Sequence, residues 1–109
     1  MAFKKYSYQF TEIAEADIDD IMEYISRDLA NPDAATAFAD ELEFQLGEIC
    51  KVPTTGKLVE NEYLARKDVR RFLVKNYIAY YIIDNDQNNV VILRVVYGKR
   101  NQDKIASDF

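Results

Sequence analysis

Apolar residues in this chain change their spacing several times, and each change marks a new element. From Lys4 to Phe10 they alternate, with Tyr6, Tyr8 and Phe10 on one side, which predicts a half-buried strand. Helical spacing then takes over: Ala14, Ile18, Ile21, Met22, Ile25 and Leu29 form one stripe, while Glu15, Asp19, Asp20 and Glu23 lie opposite. Thr11 supplies an N-cap oxygen and Glu12 suits the first turn, so the helix starts there and is expected to end near Ala30. Asn31-Pro32 reads as the next N-cap with proline at the first helical position. The second stripe is Ala35, Phe38, Ala39, Leu42, Leu46 and Ile49.

Residues 51–68 break both periods and carry Pro53 and Gly56, which predicts a loop with one turn around Glu60 to Ala65. Val69 to Val74 predicts a strand. Lys75-Asn76 is a tight turn with a left-handed conformation expected at Asn76, and Tyr77 to Ile83 returns. After the DNDQNN connection, Val90 to Tyr97 is apolar almost throughout and reads as a central strand buried on both faces, interrupted only by Arg94. Gly98 to Phe109 reads as a tail with a short helical turn, with 101–109 a candidate flexible end. Two helices joined by a few residues pack as an antiparallel hairpin, and neither stripe can be left bare. The expected fold is therefore α+β: an N-terminal strand, then a helix hairpin on one face of a mainly antiparallel four-stranded sheet.

A chain of 109 residues, 49% hydrophobic, can bury one core and reads as a single domain over 1–109. No stretch has the length of a signal-peptide core or a membrane span, so a cytoplasmic protein without membrane contact is expected. The absence of histidine excludes Ser-His-Asp and Cys-His catalysis and Cys/His zinc sites; it leaves formally open only a carboxylate site for magnesium or calcium. Cys50, the single cysteine, has no imidazole to activate it and reads as a small apolar residue near a helix end. The three glycines are isolated, so no phosphate loop is present, and no cofactor is expected.

The net charge of −5 is unevenly distributed. Residues 11–50 hold twelve acids and one base, a balance of −11, whereas residues 51–109 hold eleven bases and seven acids, a balance of +4. A field of that kind holds polyphosphate poorly, so any nucleic-acid contact has to be local.

Several short stretches, in order, resemble the RelE/ParE superfamily of bacterial toxins, and the ParE-like members more closely. They are Ala16-Asp17-Ile18-Asp19-Asp20-Ile21 through Tyr24-Ile25; Val52-Pro53 with Gly56-Lys57; Val69-Arg70-Arg71-Phe72; Tyr77 with Tyr80-Tyr81; and Ile92 through Arg94-Val95-Val96-Tyr97-Gly98-Lys99-Arg100. The resemblance implies the toxin of a type II toxin–antitoxin pair, linked to plasmid stabilisation and held inactive by a cognate antitoxin that wraps its surface. ParE-like members poison DNA gyrase by binding. RelE-like members are ribosome-dependent, metal-independent mRNA endonucleases that use arginines, lysines and a tyrosine or histidine.

On that comparison Arg100 falls where the nucleases carry a catalytic arginine able to stabilise charge on phosphate. Ile78 stands where they carry a second arginine, and Ala106 where they carry an acid/base. The leading expectation is thus a gyrase-binding toxin with an antitoxin partner and a possible homodimer. The alternatives are a nuclease acting with ribosome and mRNA, in which Arg100 works with Lys99 or Tyr97, and a nontoxic binding module. Candidate partner-binding residues are Arg70, Arg71, Arg94, Lys99, Arg100 and Tyr81. Arg70 and Arg71, adjacent in a strand, point to opposite faces, one of them toward helix acids. Arg94 is either a buried ion pair or part of the binding face. Tyr77, Tyr80, Tyr81 and Tyr97 either stack on bases or pack the sheet.

Overall fold

The computed structural model describes residues 6–62 and 64–99. A strand, β1 (Ser7–Phe10), leads into α1 (Glu12–Glu23), a π-helical turn (Tyr24–Asp28) and α2 (Pro32–Lys51). After a 3₁₀ turn at Pro53–Thr55 come β2 (Lys57–Leu58), β3 (Arg70–Val74), β4 (Tyr77–Asp84) and β5 (Asn89–Tyr97). The sheet order is β1-β5-β4-β3-β2, antiparallel except for the parallel β1–β5 pair. This is the expected α+β arrangement with five strands instead of four. The additional strand is a two-residue edge inside the predicted loop, too short to carry any period in sequence.

Both helix starts follow the capping chemistry. Thr11 Oγ1 accepts from the Ala14 N–H at 3.1 Å, and Asn31 Oδ1 from the Ala34 N–H at 3.1 Å, with Pro32 at the first position. The α-helical part of the first helix stops at Glu23, however, and the remainder to Asp28 is π-helical. There the Leu29 N–H bonds the Tyr24 carbonyl at 3.1 Å, and the Asn31 N–H reaches back to that of Ile25 at 3.1 Å. Ala30 closes the turn in the left-handed region at φ 49°. An i→i+5 bond leaves the apolar stripe almost unchanged over one turn, so periodicity did not reveal it.

The helix stripes cover one face of the sheet, where Ile21, Phe38, Leu42, Leu46 and Ile49 meet Phe72, Val74, Tyr81, Val90, Ile92 and Val95. A second cluster lies on the other face, where Leu64 and Val69 pack with Ile78, Tyr80 and Val96. Coverage on both sides makes β4 the strand buried at four consecutive residues, Ile78 to Tyr81. β5 was expected in that position; it is interior but lies beside β1 at second place. The left-handed residue of the β3–β4 turn is Lys75 at φ 56°, in place of Asn76.

Candidate functional site

The positions of α1 and the end of β5 are fixed together. β1 pairs with β5 only as far as Phe10–Ile92, so the outward backbone groups beyond Ile92 need other partners. α1 provides them. The Thr11 N–H donates to the Ile92 carbonyl and Thr11 Oγ1 to the Leu93 carbonyl, both at 3.0 Å. Asp17 Oδ2 accepts from the Val95 N–H at 3.0 Å.

The register of β4 on β5 slips between Tyr80 and Tyr81, leaving Leu93 unpaired in a bulge that re-aims Arg94 toward α1. Its guanidinium grips Asp17 in a fork, Nε to Oδ2 at 2.9 Å and Nη2 to Oδ1 at 3.1 Å. The two side chains are only 16% and 15% exposed. Of the two readings left open for Arg94, the ion pair with the helix hairpin is the one the geometry displays.

Tyr81 is fully buried, which corrects its expected place on a partner-binding surface. Its hydroxyl donates to the Pro53 carbonyl at 2.6 Å and accepts from the Gly56 N–H at 3.0 Å. A Cβ on Gly56 would collide with the phenol, so glycine is required by this close approach. Arg70 fastens the same loop: its Nη1 donates to the carbonyls of Thr54 at 3.2 Å and Gly56 at 2.8 Å. These loop carbonyls take the place of the helix acids expected as a partner for one of the two arginines. Arg71 does lie on the opposite face, in register with Tyr80. Burial raises the Tyr80 phenol above its ordinary range, and the Arg71 charge offsets this in part.

At the other end of the sheet, the Gly98 N–H donates to the Asn76 carbonyl at 2.9 Å, which holds the end of β5 against the β3–β4 turn. Exposed Lys75 and Lys99 are thereby brought to the same end, next to Tyr97, which is 42% exposed. Arg100, Ala106 and the rest of the predicted tail lie outside the described residues. The nuclease triplet Tyr97, Lys99 and Arg100 is therefore placed only in its first two members.

Sequence reasoning missed a groove of about 880 Å³ between this end of the sheet and the helix hairpin. Tyr24 and Leu29 from the π-turn, Phe38 from α2, and Tyr77, Val95 and Tyr97 from the sheet line it; Asp20 and Lys75 also lie along it. Three rings form a row: Phe38 meets Tyr77 edge-on at 5.2 Å, and Tyr77 meets Tyr97 at 5.7 Å. Burial, with smaller contributions from the Tyr24 and Tyr97 phenols, raises the Tyr77 pKa, so its hydroxyl stays protonated at neutral pH. Leu29 is 55% and Tyr24 48% exposed, a sizeable uncovered apolar area beside the aromatic row. The one signal available in sequence was Leu29, a large apolar residue at the end of a helix.

The fold that lays the helix hairpin on the sheet has counterparts. The model of the family described as the ParE toxin of type II toxin-antitoxin system, parDE, matches residues 8–102. The chain belongs to the ParE toxin family. Among solved structures it is similar to the chromosomal ParDE system of P. aeruginosa, with 21% identity over 85% of this chain and 96% of that one, at a TM-score of 0.66. It also resembles the RelBE2 toxin–antitoxin complex of Mycobacterium tuberculosis, with 25% identity over 86% and 99% of the two chains and a TM-score of 0.61. A free-state mutant of E. coli RelE shares the fold at 14% identity over 96% of each chain, with a TM-score of 0.64. No curated protein sequence matches the chain significantly. It is a type II toxin–antitoxin toxin of the ParE/RelE superfamily with the ParE/RelE fold. Among the described residues no helix is long and apolar enough to cross a membrane, and no group of three or more His, Cys, Asp or Glu side chains could hold a metal ion.

Proposed function

We propose that this ParE-family chain is a cytoplasmic, single-domain toxin that inhibits DNA gyrase by binding it, and that its cognate antitoxin neutralises it by occupying the groove. The observation that carries the reading is the use to which the arginines are put. Arg94 is tied to Asp17 and Arg70 to loop carbonyls, so two cations that could have faced a phosphodiester instead hold the fold. Metal-free RNA cleavage also needs a group able to take a proton, and burial keeps the phenols of Tyr77, Tyr80 and Tyr81 protonated.

The groove suits a binding role. Its aromatic row offers rigid anchoring area beside the end of β5. An antitoxin segment with bulky apolar side chains fits there, laid along the row of rings. Expression in a bacterial host tests the proposal. A DNA-damage response with filamentation, and loss of supercoiling by purified gyrase on addition of the chain, are the expected results. Rapid arrest of protein synthesis with gyrase unaffected would refute it, as would normal growth.

One observation favours a second reading, an mRNA endonuclease acting on the ribosome. Lys75 and Lys99 share the sheet end with the exposed Tyr97, so charge and a phenol lie side by side there. Ribosome-dependent cleavage of mRNA that is abolished by Arg100→Ala is the result this reading requires.

A further inference from the structure

The outward ridge of α2 carries four exposed residues, Asp40, Phe44, Gly47 and Lys51, spaced by four, three and four positions. They lie opposite the stripe of Phe38, Leu42, Leu46 and Ile49 that faces the sheet, and nothing in the groove involves them. Spacings of three and four residues keep all four on one narrow face of the helix, a ridge along which a second helix can pack. Phe44 is 52% exposed in the middle of the ridge. Gly47, one turn further on, sits inside a 20-residue helix where glycine is a poor helix former. Among the described residues, no atom beyond its own stretch of helix lies within 4 Å of the position its Cβ would take, so no packing among them requires glycine there.

The order of these residues is self-complementary. Phe44 and Gly47 are equidistant from the point between residues 45 and 46, and so are Asp40 and Lys51. A second copy laid antiparallel across that point places each Phe44 ring in the notch left by Gly47 of the other. The same two-fold axis faces each Asp40 carboxylate with a Lys51 ammonium. Lys51 bonds Glu48 at 3.2 Å in its own helix, but both side chains are well exposed and exchange of partner costs little.

We propose that this ridge is an isologous interface through which the chain pairs with a second copy of itself. One helix crossing buries less area than a stable interface needs, so the dimer is weak and transient. Acidic Glu41, Glu43 and Glu48 flank the ridge and oppose approach at low ionic strength, so the pairing is expected at about physiological salt, where longer-range repulsion is screened. The inference concerns a face separate from the groove and does not depend on the toxin's target.

Sedimentation velocity of the full chain over a wide range of concentration, up to the high micromolar levels a weak dimer needs, tests it. The wild type should shift from monomer toward dimer with concentration. Phe44→Glu should stay monomeric with unchanged circular dichroism, because the ring it removes is already exposed. Gly47→Ala should raise the melting temperature while weakening the dimer, since alanine favours the helix and fills the notch. Asp40→Lys should weaken pairing, and Asp40→Lys combined with Lys51→Asp should restore it. A wild type that is monomeric throughout, a Phe44→Glu variant that dimerises normally, or a double reversal that fails to restore pairing would overturn the proposal.

Discussion

Asp17 and Arg94, 77 residues apart in the chain, form a two-pronged ion pair that fastens the first helix to the last strand where that strand loses its neighbour. The carboxylate also caps the Val95 N–H, so one side chain satisfies a cation and a strand edge together. Replacing Asp17 with alanine strands both. The expected loss is about 2–4 kcal/mol in urea unfolding, somewhat below the range for a fully buried pair because both groups keep slight exposure. Arg94→Leu should cost less, since the carboxylate it leaves still accepts the Val95 N–H.

Tyr81 and Gly56 form a similar clasp for the loop. Tyr81→Phe leaves the Pro53 carbonyl and the Gly56 N–H without their partner and should destabilise by about 1–3 kcal/mol. Hydrogen exchange should rise first in residues 52–58, before the rest of the sheet. Gly56→Ala should be the more damaging change, because the added methyl meets the phenol ring directly.

Ala30 adopts a left-handed conformation to end the π-turn, which a Cβ disfavours. Ala30→Gly is expected to stabilise the fold by up to about 1 kcal/mol, read as a rise in denaturation midpoint with unchanged m-value.

The phenols of Tyr77, Tyr80 and Tyr81 have pKa values raised by burial, so between the unfolded and folded values the native state holds more protons than the unfolded one. Stability must then fall as pH rises. The contribution is complete below about pH 10, the unfolded tyrosine value, and is lost as pH climbs through the higher folded values. Denaturation midpoints followed from pH 8 to 11.5 should be flat at first and then drop, and Tyr81→Phe should make the drop shallower.

If the groove receives the antitoxin, Tyr97→Ala and Leu29→Glu should each weaken the complex about 30-fold or more in calorimetric titration, the scale of an aromatic or apolar anchor at an interface centre. Both residues are substantially exposed, so the melting temperature of the free chain should hardly move.

Much of this architecture was legible because its signals are local. Thr11 and Asn31-Pro32 announce helix starts by chemistry that operates within four residues, and the two apolar stripes announce the layer they cover. Three features had no such signal. The π-turn shifts one bond without disturbing the stripe. β2 is two residues long. The bulge at Leu93 arises from how β4 and β5 meet, so nothing near Arg94 in sequence indicates that its side chain turns toward Asp17. For the same reason the functional surface was read only in part. Tyr97 and Lys99 stand at the exposed end of β5 as strand-end reasoning predicts, but the groove between them and the helices depends on Tyr24, Leu29 and Phe38, which lie apart in sequence and meet only through the fold. Tyr81 shows the converse: an aromatic in a basic strand suggests a contact surface, yet its hydroxyl serves the backbone of a loop 25 residues away.

The parallel pairing of β1 with β5 has a temporal consequence. Ser7 meets Asn89, so β1 is synthesised about 80 residues before the strand that gives it a neighbour. During translation the early helices can form, but β1 has no neighbour and Asp17 lacks Arg94 until β5 has left the ribosome. A toxin built in this way acquires its finished surface only after β5 has been made, which gives an inhibitor made alongside it time to be present first.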